Sequence, residues 1–286
     1  MKKSLIVWLA FSALIVSCDF IKKQGNQNKQ EVAEEFYDAR RAAEAETSST
    51  IQNDKAKVTM MEIPAPLKNR PEQIIKRKGY TVSYNKSIKV PNWVAWHLVK
   101  SHCYGSNQRS QLMFEEDTDV PNPRATDNDY YNSRYDRGHM CPGGDCNWDD
   151  KGRDETYVLS NMCPQNPNLN RGDWKEIENA CRKWAQKYGS IYIVCGPMFF
   201  KSQKHERIGP NQIPIPEAFF KVVLCVDEYA PKGIGFICRN TDGNRTKDFY
   251  VNSIRQVERI TGYKFFPNLN DSIMNLVYDM DDINVW

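Results

Sequence analysis

The chain has 286 residues, of which 40% are hydrophobic and 12% aromatic, so it can build one large core or two small ones. This composition excludes a disordered or fibrous protein. The formal net charge of +3 is too small for nucleic-acid binding to be inferred from charge alone.

The amino terminus has the pattern of an export signal. Two lysines precede an apolar run from Leu5 to Val16, which is short for a membrane span. Residues 15–18, Ile-Val-Ser-Cys, resemble a bacterial lipobox, in which Cys18 becomes the lipidated first residue of the mature protein. We predict a signal peptide over residues 1–17 and an extracytoplasmic lipoprotein, held at the membrane (periplasm or outer membrane) by a lipid on Cys18. An ordinary secretory signal or an uncleaved anchor is the alternative.

Export changes the interpretation of the eight other cysteines. Outside the cytoplasm an even number of thiols favours disulfides, although eight cysteines allow too many pairings for any to be assigned. A structural zinc site is the alternative, because four soft ligands lie close in sequence at His139, Cys141, Cys146 and Cys163. Their spacing fits no familiar zinc pattern, so we expect disulfides.

Residues 18–61 are polar and poor in large apolar side chains. The first part is rich in Lys, Gln and Asn and has the composition of a flexible tether. Residues 31–46 are acidic and alanine-rich, which is typical of a solvated, marginal helix. We predict that the globular domain occupies residues 62–286.

Several apolar segments of the globular region are predicted strands. Tyr80–Tyr84 alternates as a half-buried strand does, whereas residues 91–99 are dense in aromatic and β-branched side chains and fit a buried strand. His97 within that run is interpreted as a packed core histidine. Further strands are predicted at Thr156–Ser160, Ile191–Cys195, Phe219–Val226 and Ile234–Cys238.

Two helices are predicted in the same region. One runs from Gly172 to about Tyr188, since apolar residues recur at three- and four-residue spacing, at Trp174, Ile177, Cys181, Trp184 and Ala185. The last helix is predicted over Val251–Thr261. Strands with inserted helices, without regular alternation, favour an α+β domain with a largely antiparallel sheet.

The run Tyr135–Met140 places an acid, a guanidinium, a glycine and an imidazole at successive positions. Hydrolysis of a phosphodiester needs a base to activate water, positive charge at the phosphorus centre and usually a divalent cation. We predict His139 as the base and Arg137 as a phosphate clamp. Gly138 is expected to let the backbone bend so that both face one centre. A polar turn with an ordinary packed histidine is the alternative.

Three segments together resemble the DNA/RNA non-specific endonuclease family of the ββα-metal superfamily. They are Asp136–His139, Leu159–Gln165 and Leu169–Glu178, in the family's order and at its spacing, and the likeness runs from about Tyr80 to about Phe266. The resemblance implies an α+β fold, a ββα-metal nuclease domain whose largely antiparallel central sheet is flanked by helices. It also implies a Mg²⁺-dependent endonuclease acting on DNA and RNA with little sequence specificity.

The resemblance further implies roles for matching residues. His139 corresponds to the general base, Asn170 to the direct protein ligand of Mg²⁺, and Glu178 to the acid that orders a metal-bound water. Asn161 corresponds to an asparagine that helps hold the site. Mg²⁺ needs few protein ligands because it keeps several waters; Mn²⁺ or another divalent cation is the alternative ion. Turn formation or helix capping is the alternative role of both asparagines.

Three arginines match the family's positive groups that face the scissile phosphate, at Arg137, Arg109 and Arg182. The match at Arg109 is loose. Arg182 lies four residues after Glu178, and an exposed ion pair is the alternative interpretation of that spacing. Cys141 departs from the family's pattern, in which a small apolar residue, Ala and Pro commonly follow the histidine.

The alternative function is a catalytically inactive surface lipoprotein that keeps this fold to capture nucleic acid. Loss of His139 or Asn170 would favour that alternative, and both are present. The expected partners are DNA, RNA and a membrane. The sequence leaves open which nucleic acid is preferred and whether the domain forms a homodimer.

Overall fold

The computed structural model describes residues 60–286 except 67, 106–112, 201–203, 228–229 and 242. Met60 to Trp286 form one compact unit. The predicted signal peptide, the lipidation site at Cys18, the tether and the predicted phosphate-facing Arg109 lie outside the described residues. Within the described part of the chain, no helix has the length and apolar character needed to cross a membrane.

Eleven strands occur among the described residues. In chain order they are β1 (Gln73–Lys76), β2 (Thr81–Asn85), β3 (Val90–Val99), β4 (Asp136–His139), β5 (Met162–Gln165), β6 (Ser190–Met198), β7 (Arg207–Ile208), β8 (Ile213–Pro214), β9 (Ala218–Cys225), β10 (Lys232–Arg239) and β11 (Val251–Asn252). Six α-helices accompany them in this part of the chain, namely α1 (Asp127–Tyr130), α2 (Asp150–Glu155), α3 (Pro167–Leu169), α4 (Lys175–Tyr188), α5 (Ile254–Thr261) and α6 (Asp271–Val277).

The central sheet has seven strands in the order β1-β2-β3-β6-β9-β10-β11, and every neighbouring pair is antiparallel. The predicted α+β class with a largely antiparallel sheet is therefore confirmed. The predicted buried strands correspond to β3, β6, β9 and β10, each within a few residues of its predicted ends.

Two strand predictions need correction. β2 is buried along its whole length rather than half-buried, because β1 and β3 flank it and both of its faces are covered. The predicted strand Thr156–Ser160 is a turn. Among the described residues, its only strand-like pairing is an isolated bridge between Val158 and Glu115, which lies outside the eleven strands. A 3₁₀ turn follows at Leu159–Asn161, where the Asn161 N–H donates to the Val158 carbonyl at 3.0 Å.

The two predicted helices exist with shifted starts. Before α4, residues Asn170–Trp174 form an irregular helical segment, interrupted by the non-helical backbone of Gly172. α5 begins three residues later than predicted, because the Ser253 side chain accepts the Gln256 N–H at 3.1 Å and caps the helix there. It is not the last helix, since α6 follows.

The sheet divides the core into two layers. Alternate residues of β9 face opposite sides, so Phe219 and Val223 join the layer under α4, while Phe220 and Val222 join the layer under α5 and α6. Lys221 falls on the α4 side by the same alternation. α4 buries its predicted apolar face, including Ile177 and Trp184, against that layer.

A separate two-stranded sheet carries most of the run Tyr135–Met140. β4 pairs antiparallel with β5, and the period of two places Arg137 and His139 on one face. Gly138 faces the other way, where an added Cβ would lie 2.5 Å from the Gln165 Cβ. The glycine is thus required by close approach of Gln165 within a regular strand, rather than by the backbone bend that we expected.

Candidate active site

A polar cleft of about 270 Å³ opens between the loop after β4 and one face of α4. Four predicted site residues, His139, Asn170, Glu178 and Arg182, line this single cleft although they span 44 positions of the chain. Its other lining residues are Pro142, Gly143, Gly144, Tyr157, Arg171 and Lys175. The structure therefore brings the main predicted residues together.

His139 ends β4 and is held by aromatic contacts. The Tyr157 ring meets the imidazole edge-on, with ring centres 4.9 Å apart, and the Phe114 ring lies 5.7 Å away. Tyr157 is buried and Phe114 is half-buried. These contacts orient the imidazole at the cleft wall while leaving the ring half-buried rather than enclosed.

Asn161 is fully buried and does not line the cleft. Its side-chain oxygen accepts the Cys141 N–H at 3.0 Å, and its amide group donates to the carbonyls of Cys141 at 2.9 Å and Thr156 at 2.8 Å. The Met140 N–H also donates to the Asn161 backbone carbonyl at 3.0 Å. Asn161 thus fixes the two residues that directly follow His139, and it acts on the site through the backbone.

Asn170 is oriented by Asp136, the first residue of β4. The Asn170 Nδ2 donates to Asp136 Oδ2 at 2.9 Å, and Arg171 donates to both oxygens of the same carboxylate, at 2.8 and 2.6 Å. Burial raises the pKa of Asp136, but these hydrogen bonds outweigh burial and hold it below its usual value. An ionised carboxylate can only accept hydrogen bonds, so Asp136 must face the amide nitrogen of Asn170. The side-chain carbonyl oxygen of Asn170 is then the atom available to bind a ligand.

The alternative role of Asn170, capping the start of a helix, is not what the structure shows. Asn166 caps α3, since its side-chain oxygen accepts the Asn168 N–H at 2.9 Å. Asn170 itself has helical backbone angles.

Glu178 lies half-buried in the cleft. Burial raises its pKa to about 7, with Asp145 adding to the effect, while the positive charges of Lys221 and Arg182 oppose it. Lys221 comes from β9 and is fully buried, with its ammonium 4.5 Å from the centre of the Trp174 ring. Burial lowers the pKa of Lys221, but nearby Cys195 and Glu178 outweigh it and raise the value overall. A fixed positive charge thus lies beneath Glu178.

Arg182 is anchored by a carboxylate in the loop after β4. Its Nη1 donates to Asp145 Oδ1 at 2.7 Å, and its Nη2 donates to Asn179 Oδ1 at 2.6 Å. The other oxygen of Asp145 accepts the Trp96 Nε1–H at 3.0 Å. No ion pair joins Arg182 to Glu178 among the described residues. The alternative interpretation, an exposed pair with Glu178, is therefore wrong, and Arg182 instead pairs with the buried Asp145.

Arg137 lies beside the cleft but not in its lining. Its guanidinium pairs with Asp127 at 2.5 Å and lies 5.2 Å from the centre of the Phe114 ring and 5.4 Å from that of Tyr130. The positive groups that line the cleft are Arg171, Lys175 and Arg182.

The expected disulfides are absent. All eight described cysteines are free, and seven of them are buried among core side chains. Cys141 and Cys146 approach within 4.0 Å between their sulfurs, and burial raises the pKa of Cys141 well above its usual value. Within the described residues, no group of three or more His, Cys, Asp or Glu side chains is placed to hold a metal, which contradicts the zinc alternative.

Sequence reasoning missed Lys175, Tyr157, Asp145 and Lys221. Lys175 could have been found, because it precedes Glu178 by three residues and Arg182 by seven, the spacing of one helix face. The other three come from separate segments. Only packing places Tyr157 in the lining of the cleft and brings Asp145 and Lys221 close to its lining residues.

The cleft suits a hard divalent cation. Asn170 and Glu178 line the same space, and the amide carbonyl of one and the carboxylate of the other are both oxygen donors. Mg²⁺ prefers such donors and keeps most of its waters, so this sparse donor set fits it better than it fits zinc.

Comparison with known proteins agrees with this geometry. The family model described as DNA/RNA non-specific endonuclease matches residues 59–272. The chain belongs to the DNA/RNA non-specific endonuclease family. The pair β4–β5 followed by α4 is the ββα unit of this ββα-metal fold, and it lies inside the matched region.

Curated relatives within the family have similar identities. Nuclease EXOG, mitochondrial, of Danio rerio is 31% identical over 217 residues, which cover 70% of this chain and 63% of that protein. Endonuclease G, mitochondrial, of Homo sapiens is 31% identical, covering 69% of this chain and 70% of that one. Nuclease C1 of Cunninghamella echinulata var. echinulata is 30% identical, covering 70% and 85%. The chain spans about three fifths of the length of the EXOG relatives.

A solved structure shares the fold. The chain aligns with a crystal structure of the EndoG/EndoGI complex, in which EndoG is inhibited. The TM-score is 0.70 and the sequence identity is 25%. The alignment covers 79% of this chain and 96% of the other.

The buried pair of Asp145 and Arg182 predicts a large effect on stability. Both oxygens of Asp145 accept hydrogen bonds, so the amide of Asp145→Asn would turn an N–H toward a donor. We expect a loss of about 3 kcal/mol in the free energy of unfolding, measured by urea denaturation.

Asp119→Asn is the matched control for that variant. Asp119 pairs with Arg77 at a similar distance, 2.6 Å, but its side chain is 60% exposed, against 1% for Asp145. We expect a loss of less than about 1 kcal/mol. Equal losses in the two variants would contradict the importance of the buried pair.

The raised pKa of Glu178 predicts a pH-dependent gain of stability in Glu178→Gln. Burial raises the pKa of Glu178 from 4.5 in the unfolded chain to about 7 in the folded protein. Ionisation of this carboxyl group therefore destabilises the folded protein as pH rises above 4.5, and the full cost is reached above about pH 7. In EDTA at about pH 8 the variant should therefore be more stable than the parent, by about 1–2 kcal/mol after allowance for solvent. At about pH 4 the advantage should vanish. A gain independent of pH would contradict this origin.

Proposed function

We propose that this protein is an endonuclease that hydrolyses phosphodiester bonds of DNA and RNA with little sequence specificity, using Mg²⁺. The single observation that carries the proposal is the cleft that gathers His139, Asn170, Glu178 and Arg182. Membership of the DNA/RNA non-specific endonuclease family supports it. The names of the relatives, nuclease and endonuclease, support the same class of reaction.

His139 is the proposed general base. A neutral imidazole nitrogen can accept a proton, and Tyr157 keeps the ring at the cleft wall. The proton removed is that of the attacking water. Arg171, Lys175 and Arg182 place positive charge in the same cleft, where phosphate oxygens gain negative charge as the bond to phosphorus forms.

Asn170 is the proposed metal ligand, through its carbonyl oxygen, and Glu178 is proposed to hold a water of the ion. When bound, Mg²⁺ would supply positive charge to stabilise the leaving 3′ oxygen. Asp136 keeps the Asn170 amide in the required orientation. The proposed products carry a 5′-phosphate and a 3′-hydroxyl. Mn²⁺ or another divalent ion is the alternative.

Little sequence specificity is expected because the cleft offers mainly groups that contact phosphate. Phosphate contacts fix position without reading bases. Roles for Arg137 and Arg109 in holding phosphate stay predictions. The ion pair of Arg137 with Asp127 indicates that this arginine also has a structural role.

A catalytically inactive nucleic-acid-binding lipoprotein is the second candidate. The same positive cleft would serve it. The presence and alignment of His139, Asn170 and Glu178 in one cleft favour the enzyme, because simple capture of nucleic acid does not require a base beside a metal ligand.

His139→Ala should abolish cleavage of plasmid DNA and of RNA in Mg²⁺, by about a thousandfold or more, because no other described histidine lines the cleft. The melting temperature should stay within a few degrees of the parent's. His102→Ala is the matched control, since His102 stacks on Trp148 outside the cleft, and it should keep its activity. Cleavage by a folded His139→Ala protein would remove His139 as the base.

Asn170→Ala should raise the Mg²⁺ concentration needed for half-maximal cleavage by about tenfold or more, because the direct oxygen ligand is lost. The exposed Asn168→Ala, two residues earlier and outside the cleft lining, is the control. An unaltered Mg²⁺ titration in Asn170→Ala would exclude it as the ligand.

We also propose that the protein is an extracytoplasmic lipoprotein anchored through Cys18, on the lipobox-like sequence at residues 15–18. The full chain expressed in a bacterial host should partition with membranes and carry a lipid by mass spectrometry. Cys18→Ser should release it from that fraction. Identical partition of the two proteins would refute lipidation at this position.

A further inference from the structure

A groove distinct from the cleft runs along the edge of the central sheet. Two hollows of about 730 and about 560 Å³ share the lining residues Ile237, Arg239, Thr241 and Ile260 and so form one continuous groove. We call it the β10 groove and define it by Ile237, Arg239, Arg245, Phe249, Asn252 and Ile260. The proposed catalytic residues do not line it.

One end of the β10 groove combines an exposed aromatic ring with positive charge. The Phe249 side chain is 66% exposed, and the Arg245 guanidinium lies 5.3 Å from the centre of its ring. Arg239, at the end of β10, is exposed as well. Among the described residues, neither arginine forms an ion pair with a carboxylate.

The other end of the groove holds an acid that is already engaged. Glu217 accepts hydrogen bonds from His205 Nδ1 at 2.6 Å and from the Phe200 N–H at 3.2 Å. The two ends therefore differ in charge, and the aromatic end is the one that complements an anion.

The aromatic end is joined to the segment that carries Asn170. The Asp173 carboxylate accepts the Arg245 N–H at 3.0 Å and the Tyr250 hydroxyl. Gly243 has a φ of 64°, and an added Cβ there would lie 2.8 Å from Asp173 Oδ2. The loop with Arg245 and Phe249 thus packs on the residue three positions after Asn170, so the groove borders the cleft's metal-ligand segment.

We propose that the β10 groove binds a single-stranded part of the nucleic-acid substrate, with a base stacked on Phe249 and phosphates beside Arg239 and Arg245. This inference rests on the proposed nuclease function. Every base has a flat face, so stacking on an exposed ring retains strands of any sequence. Guanidinium groups without carboxylate partners are free to meet phosphates.

An unpaired strand fits these features better than an apolar peptide or a second copy of this chain. A peptide or protein surface would cover Phe249 and Ile260 but would leave two unpaired guanidinium groups beside an apolar contact, which is costly. A polyanion with planar bases satisfies the ring and both arginines together.

Binding is tested without cleavage, on the full chain in EDTA. The probe is a fluorescent oligothymidylate of about 16 nucleotides, followed by anisotropy over a range of salt concentrations. Phe249→Ala should weaken binding about tenfold, within the range seen for loss of one stacked base. Phe249→Leu keeps apolar bulk without the ring and should show a similar loss, which covers the case in which Phe249→Ala fails to fold.

The arginines are tested by the salt dependence. The plot of log affinity against log salt concentration has a negative slope. The double variant Arg239→Ala/Arg245→Ala should make this slope shallower by about 1.4, because each phosphate contact contributes about 0.7 on single strands. The control Arg207→Ala/Arg255→Ala removes the same charge at sites outside the groove lining and should leave the slope unchanged. Unchanged affinity and slope in the groove variants would overturn the inference.

A blunt duplex of the same length and a small aryl phosphodiester complete the test. The Phe249 variants should bind the duplex as the parent does, and an equal loss on duplex would overturn the assignment to single strands. The groove variants should cleave the small diester at the parent rate. A parent protein that binds the oligonucleotide through the groove but cleaves nothing would refute the proposed function alone.

Discussion

The carboxylate of Asp145 is the contact on which the candidate site depends. It lies in the loop that follows His139, and it holds Arg182 on α4 and Trp96 on the central sheet. Three separate parts of the molecule therefore meet at one buried group. Both of its oxygens are used, so directional hydrogen bonds join the loop after His139 to α4 and to the central sheet. Without them, the loop and α4 would be joined mainly by non-directional packing.

Burial of charge beneath the cleft has an energetic cost and a chemical use. Asp145, Glu178, Arg182 and Lys221 place two carboxyl groups and two cationic side chains in a compact region, so their formal charges balance when both carboxyl groups are ionised. Balance alone does not offset desolvation, and burial still raises the pKa of Glu178 to about 7. A carboxylate in that state gains most from a cation in the cleft. The site gives up stability in the metal-free protein, and a bound ion would restore it.

Much of the fold was predictable, because β3, β6, β9 and β10 are apolar runs whose partners are equally apolar. The errors occurred where side-chain hydrogen bonds decide the backbone. Residues around Asn161 contain a β-like apolar run, yet its buried amide and the Val158 carbonyl hold the chain in a turn. The expected disulfides were wrong for a related reason. An even number of cysteines predicts disulfides only where two thiols face each other. Here most of the cysteines are buried in the core as free thiols.

By itself the sequence determined the chemistry of the motif: which residue is the base candidate, and which family the three segments resemble. These follow from residue type and short spacing, which are local properties of the chain. Only the tertiary structure decided that Arg182 pairs with Asp145 rather than Glu178, and that Asn161 acts through the backbone. It alone placed Lys221 beneath Glu178. Such contacts join residues tens of positions apart, and their geometry is fixed by packing around the sheet rather than by neighbouring residues.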